Sequence, residues 1–149
     1  MNRKGITLIE LIIVLVIICI GAALMVPGFG AWMPHFRLKG ATRDIVSVMR
    51  TAQMRAVSNN MRYGVAFDTQ QFQLYRDSGG LQVDGAPVDL PHGVTYAANF
   101  PVEATLGKPF IQFLPDSTAS ANGSVILNNN KGMQKRIQVT MSTGRITIQ

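Results

Sequence analysis

The feature that most constrains this chain is a long apolar run directly behind a short cationic leader. The sequence opens MNRKGITLIELIIVLVIICIGAALMVP. Met1–Gly5 is polar and carries Arg3 and Lys4. Ile6 to Val26, a run of 21 residues, is apolar apart from Thr7 and Glu10, with Gly21 the only other interruption. A helix of that length is ~31 Å long, enough to cross a hydrocarbon core of about 30 Å. The cationic leader predicts a cytoplasmic N-terminus and an exported remainder. No small-residue cleavage site of the A-x-A kind follows the run, unlike an ordinary signal peptide.

Glu10 is the anomaly in this run. A carboxylate inside a bilayer is costly and needs both a function and a partner. Cleavage between Gly5 and Ile6 would create an α-amino group at Ile6, cationic at neutral pH. That amine, on the same helix or a neighbouring copy, is the natural partner for Glu10. Helices carrying both charges can associate and neutralise them in a low-dielectric core.

K-G-I-T-L-I-E-L resembles the prepilin leader of type IV pilins and type II secretion pseudopilins. The resemblance implies cleavage at Gly5/Ile6 by a prepilin peptidase, N-methylation of Ile6, an assembly role for Glu10 and a helix kink at Pro27. Ile6 departs from the commoner Phe or Met, at a position that only needs to be apolar.

Leader and anchor together take about 35 of the 149 residues, which leaves roughly 115, enough for one small domain with its own core. Net charge is +6, and +4 once Arg3 and Lys4 are gone. That is mildly basic, well short of a dedicated nucleic-acid binder. Cys19, the single cysteine, lies inside the apolar run. No intrachain disulfide can form, so the exported part is held by side-chain burial alone.

Beyond Pro27, Trp32 and Phe36 followed by Arg37 and Lys39 read as an aromatic-then-basic membrane border. From Leu38 the period is helical. Leu38, Ala41, Ile45, Val48, Met49, Ala52 and Ala56 share one face, and Lys39, Arg43, Ser47 and Arg50 the opposite one. Ser58-Asn59-Asn60 ends the helix, with Asn suited to the left-handed position after it. The rest is strand and turn. A hairpin is predicted at Tyr63–Phe67 and Phe72–Tyr75. Further strands are predicted at 88–90, 94–98, 110–114, 124–127, 136–141 and 145–148, with residues 99–109 a loop. Ile137, Val139 and Met141 are expected to point inward, and Ile146 and Ile148 to share a face.

R-D-I-V-S-V-M-R-T-A-Q-M-R-A-V-S-N-N-M-R-Y-G-V-A-F and G-S-V-I-L-N-N-N-K-G…R-I-Q-V-T-M-S-T-G-R-I-T-I resemble the helix-to-strand passage and the closing strands of the H-type minor pseudopilins and related minor pilins. The middle of the chain, about residues 68–110, matches no pattern of that group. The implied fold is α+β: a long N-terminal helix, membrane-spanning in its first half, against an antiparallel β-sandwich-like domain. The expected organisation is a leader at 1–5, a helix at 6–58 with its membrane segment at 6–26, and an exported β-rich domain at 59–149.

The implied function is that of a minor pilin or pseudopilin. It would be a single-pass inner-membrane protein with a periplasmic domain that then enters a filament. Its partners would be other such subunits, a prepilin peptidase and inner-membrane lipid. Some relatives serving DNA uptake end in a Gly-Arg-x-Arg tail that contacts DNA. Here the tail is Gly144-Arg145-Ile146-Thr147, so the first arginine matches and the second does not. Arg145, with Lys131, Lys135 and Arg136, forms the candidate DNA-contact set of this alternative reading. No catalytic constellation, cofactor motif or metal-ligand spacing stands out. His35 and His92 are isolated, and the acids other than Glu10 are scattered singly.

Overall fold

The computed structural model describes residues 7–149, with the backbone alone for residues 24–31. Gly5 and Ile6, the expected cleavage and methylation positions, therefore lie outside the described residues, as does the side chain of Pro27. The chain divides into two compact units, Met1–Met33 and Pro34–Gln149.

The described part of the first unit is helical from Leu8. Helix α1 (Leu8–Ser58) begins in it and continues into the second. Among the described residues no helix is long and apolar enough to cross a membrane. The apolar run of the sequence starts at Ile6 and ends at Val26, so both its ends fall outside the residues whose side chains are described.

The second unit holds the rest of α1 and ten strands. These are β1 (Arg62–Phe67), β2 (Gln71–Asp77), β3 (Leu81–Val83), β4 (Val88–Asp89), β5 (Val94–Asn99), β6 (Val102–Glu103), β7 (Lys108–Phe113), β8 (Gly123–Asn129), β9 (Gln134–Thr140) and β10 (Arg145–Ile148). One sheet runs β3-β2-β1-β7-β6, with β4 also paired to β2; the other runs β10-β9-β8-β5. Every pairing is antiparallel.

Both sheets and the helix share one core. Leu38, Ala41, Ile45, Met49, Ala52 and Ala56 are buried on α1, where the 3.6-residue period places them on a single face. Val65 and Phe67 of β1, Ile111 and Phe113 of β7, Val125 and Leu127 of β8, and Ile137 and Val139 of β9 complete it. The helix ends as its sequence dictates, with Asn60 in the left-handed region at φ 49°, a conformation Asn tolerates better than most residues.

Two details differ from the sequence pattern, and a third residue, Ile148, keeps its predicted face but not its cover. Residues 99–109 are not a plain loop: Val102–Glu103 pairs with Pro109 and Lys108. Leu106 then covers a second small cluster of Ala66, Tyr75 and Phe110 on the far face of the first sheet. A two-residue strand has no periodicity to read. Met141 is exposed because it falls in the turn after β9 rather than within the strand. Ile148 lies opposite Ile137 and so shares its inward face, yet it is 48% exposed. β10 is the edge strand of its sheet, and among the described residues no further strand lies beyond it to cover that side chain.

Candidate assembly surface

In the first unit the side chains from Leu8 to Ile20 are exposed on every side of the helix. Eleven of them are large aliphatics, with Leu8 at 77%. A helix apolar all round is one that is buried in use. At roughly 1 kcal/mol for covering each half-exposed side chain, the gain is on the order of 10 kcal/mol. No single polar contact matches that.

Glu10 has a local role in the helix start. The Glu10 backbone N–H donates to the Thr7 hydroxyl at 3.3 Å. Thr7 thereby caps the helix, and T-L-I-E has the spacing of a capping box. The Glu10 carboxylate also sits in the first turn, where the helix dipole favours negative charge. This capping signal was present in the sequence beside the charge-pairing argument. Its usual worth of about 1 kcal/mol is small against the apolar burial.

The candidate DNA-contact residues are not brought together. Gln149 and Arg136 exchange both backbone hydrogen bonds at 2.8 and 3.0 Å, and Arg145 lies opposite Thr140 at the other end of the same hairpin. Four residues at about 3.4 Å each put some 13 Å between Arg136 and Arg145 along the strand. Lys131 sits in the β8–β9 turn, at the opposite end of β9 from Arg145. Lys135 differs in parity from Arg136, so it shares the inward face of Ile137 and lines a cavity against α1. Arg136 and Arg145 share the outer face.

One residue that carries no sequence signal holds the C-terminal hairpin to the helix. The half-buried Gln53 amide on α1 donates to the Ser117 carbonyl (2.8 Å), the Ser117 hydroxyl (3.0 Å) and the Gly144 carbonyl (3.1 Å). Gly144 is buried at φ 59°, and a Cβ there would stand 2.0 Å from the Ser117 carbonyl oxygen. The glycine of the Gly144-Arg145 pair is thus required by this junction.

Two ion pairs tie loops of the second unit. Arg55 meets Asp84 at 2.5 Å, and Lys108 meets Asp68 at 2.6 Å. The Lys108 ammonium, helped by the Thr69 N–H, holds the Asp68 carboxyl down at about 2. The Tyr96 hydroxyl donates to the Asp68 and Gln71 carbonyls, and burial is the main cause that pushes its phenol well above the usual range. The arrangement closes the β1–β2 turn onto β5 and β7. Its lysine and carboxylate neutralise one another, and no nucleophile is set beside a free base. Among the described residues no group of three or more His, Cys, Asp or Glu could hold a metal ion.

Comparison with known proteins gives a consistent family. The profile of the family described as Type II transport protein GspH matches residues 41–144. That of the prokaryotic N-terminal methylation motif matches residues 1–26. A comparison with curated proteins finds no match. Among solved structures, the minor pseudopilin EpsH from the type 2 secretion system of Vibrio cholerae is similar, with TM-score 0.63 and 13% identity over 76% of this chain and 96% of that one. The Pseudomonas aeruginosa type IV minor pilin FimU is similar with TM-score 0.60 and 13% identity over 77% and 90%. These identities speak for the fold. With the methylation motif, the helix-on-sheets fold and a profile match over most of the second unit, the chain belongs to the GspH family and is a subunit of the minor pseudopilin and minor pilin class.

Proposed function

We propose that the chain is inserted once through the inner membrane with its N-terminus in the cytoplasm, cut between Gly5 and Ile6, methylated at Ile6, and drawn into a filament through its N-terminal helix. The observation that carries this reading is the all-round exposure of Leu8–Ile20 behind a leader motif, on a chain whose second unit has a complete core of its own. Burying that sleeve among other pilin-type subunits supplies the driving force. The Glu10 carboxylate and the Ile6 amine of a neighbour set the register, because an unpaired charge in that environment is strongly disfavoured. The prepilin peptidase and inner-membrane lipid are partners on this reading. The second unit then sits on the exported side. A DNA-capture role is not adopted, because Arg145 lies at the opposite end of β9 from Lys131 and Arg136, and Lys135 lies on the other face.

The test is the intact mass of membrane-extracted protein, made with and without a prepilin peptidase. A species starting at methylated Ile6 in the peptidase strain alone is expected. A leader retained in both strains refutes the reading. In the processed protein, Glu10→Ala is expected to reduce filament incorporation several-fold while leaving the exported unit folded; normal incorporation removes the register role.

A further inference from the structure

β10 is an edge strand, and α1 runs beside its open side. Gln53 of α1 binds the Gly144 carbonyl at the start of β10, and Ile148 at its other end lines cavities together with Arg43 of α1. Because Gln149 exchanges its backbone bonds with Arg136, antiparallel alternation points the N–H and C=O groups of Ile146 and Ile148 away from β9. Gly144 has the same parity, and its outward carbonyl is satisfied by Gln53. Among the described residues no group bonds the four outward groups of Ile146 and Ile148.

Along this edge lies a groove. Two adjoining cavities of about 380 and 340 Å³ share Arg43 and Ile148. The first adds His35, Lys39 and Lys135; the second adds Ser47, Arg50 and Met54. No carboxylate lines either. Among the described residues, Lys39, Arg43, Arg50 and Lys135 form no ion pair. From His35 to Met54 the helix offers ~28 Å, room for about eight extended residues. An open strand edge with an exposed isoleucine is a liability that proteins normally block with charge, a bulge or a cover. Here the cations line the groove rather than block the edge.

We infer that this groove receives an extended, acidic segment of a neighbouring filament subunit, which adds to β10 as a fifth strand of the second sheet. Main-chain bonds to Ile146 and Ile148 supply register. Acids at alternate positions of the added strand face Lys39, Arg43 and Arg50, and charge complementarity selects the partner. An anion without a strand backbone satisfies the cations but not the four edge groups, so a peptide fits this surface better than a polyanion. The inference takes from the proposed function only that other exported subunits lie alongside. Its test is a binding measurement on the isolated chain, so it fails or stands independently of leader processing.

The full chain in a neutral detergent is titrated with a labelled eight-residue peptide alternating Glu and Thr. The same peptide, N-methylated at the residues that would donate to β10, keeps the charge but removes pairing. Expected are saturable binding, slowed amide exchange at Ile146 and Ile148, and affinity about tenfold weaker for the N-methylated peptide. Arg43→Gln with Arg50→Gln should weaken binding about fivefold, with an unchanged circular dichroism spectrum. Equal affinity for the N-methylated peptide, equal affinity for a single-stranded oligonucleotide of the same charge, or unchanged exchange at β10 overturns the inference.

Discussion

Gly144→Ala probes the junction that seats the C-terminal hairpin on the helix. Two penalties combine. At φ 59° the left-handed backbone costs an L-residue about 1–2 kcal/mol. The new methyl would also meet the Ser117 carbonyl oxygen at 2.0 Å and the Gln53 amide nitrogen at 2.5 Å. A normal carbon–oxygen approach is about 3.3 Å or more, so the 115–118 turn must move by over an ångström. That movement breaks the contacts of the two Gln53 amide hydrogens with Ser117 and Gly144, together worth about 2–3 kcal/mol. The total is roughly 3–5 kcal/mol, a large share of a typical domain's stability. Gly132→Ala is the control. It has φ 77° and nothing within 4 Å of the added carbon, so it should cost only the backbone share, about 1–2 kcal/mol. Urea unfolding of the detergent-solubilised chain, followed by the far-ultraviolet strand signal, should separate the two variants by about 2–3 kcal/mol. Equal costs would refute the close approach, leaving conformation alone as the reason for glycine at 144.

Three further outcomes follow from the geometry. Asp68 titrates in the folded chain at about 2, below its ordinary 3.8, so its contribution is present above about pH 4 and lost as the pH falls through 2. Lys108→Met should shift that acid limb upward, and carboxyl NMR of Asp68 reads it directly; an unmoved titration would remove the ion pair as its cause. Met49→Ala, at a fully buried site, should lower stability by about 2–5 kcal/mol, while Met54→Ala, at 65% exposure, should stay within about 0.5 kcal/mol. Comparable losses in the two would contradict the assigned helix faces. Gln53→Ala leaves the Gly144 and Ser117 carbonyls without their donor and should cost roughly 2 kcal/mol; a neutral outcome would mean that water replaces the amide.

Where a signal is periodic or local, residues alone were sufficient. The 3.6-residue spacing from Leu38 to Ala56 identified the buried face of α1, since only one face of a helix can meet a core. Asn60 marked the helix end because few other side chains accept positive φ. The β1–β2 hairpin followed from alternation on either side of a polar turn. The N-terminal methylation motif was equally legible, being contiguous in the chain. Tertiary structure decided everything that depends on distant segments meeting. It gave Gln53 its three acceptors 64 and 91 residues away, and it paired Asp68 with Lys108 across 40 residues. It placed Lys135 and Arg136 on opposite faces of a strand and left Ile148 at an open edge beside a cationic helix face. Local pattern can say that a residue lies on a strand and faces inward. Whether another strand lies beyond it is a property of sheet order, which no short stretch of sequence encodes.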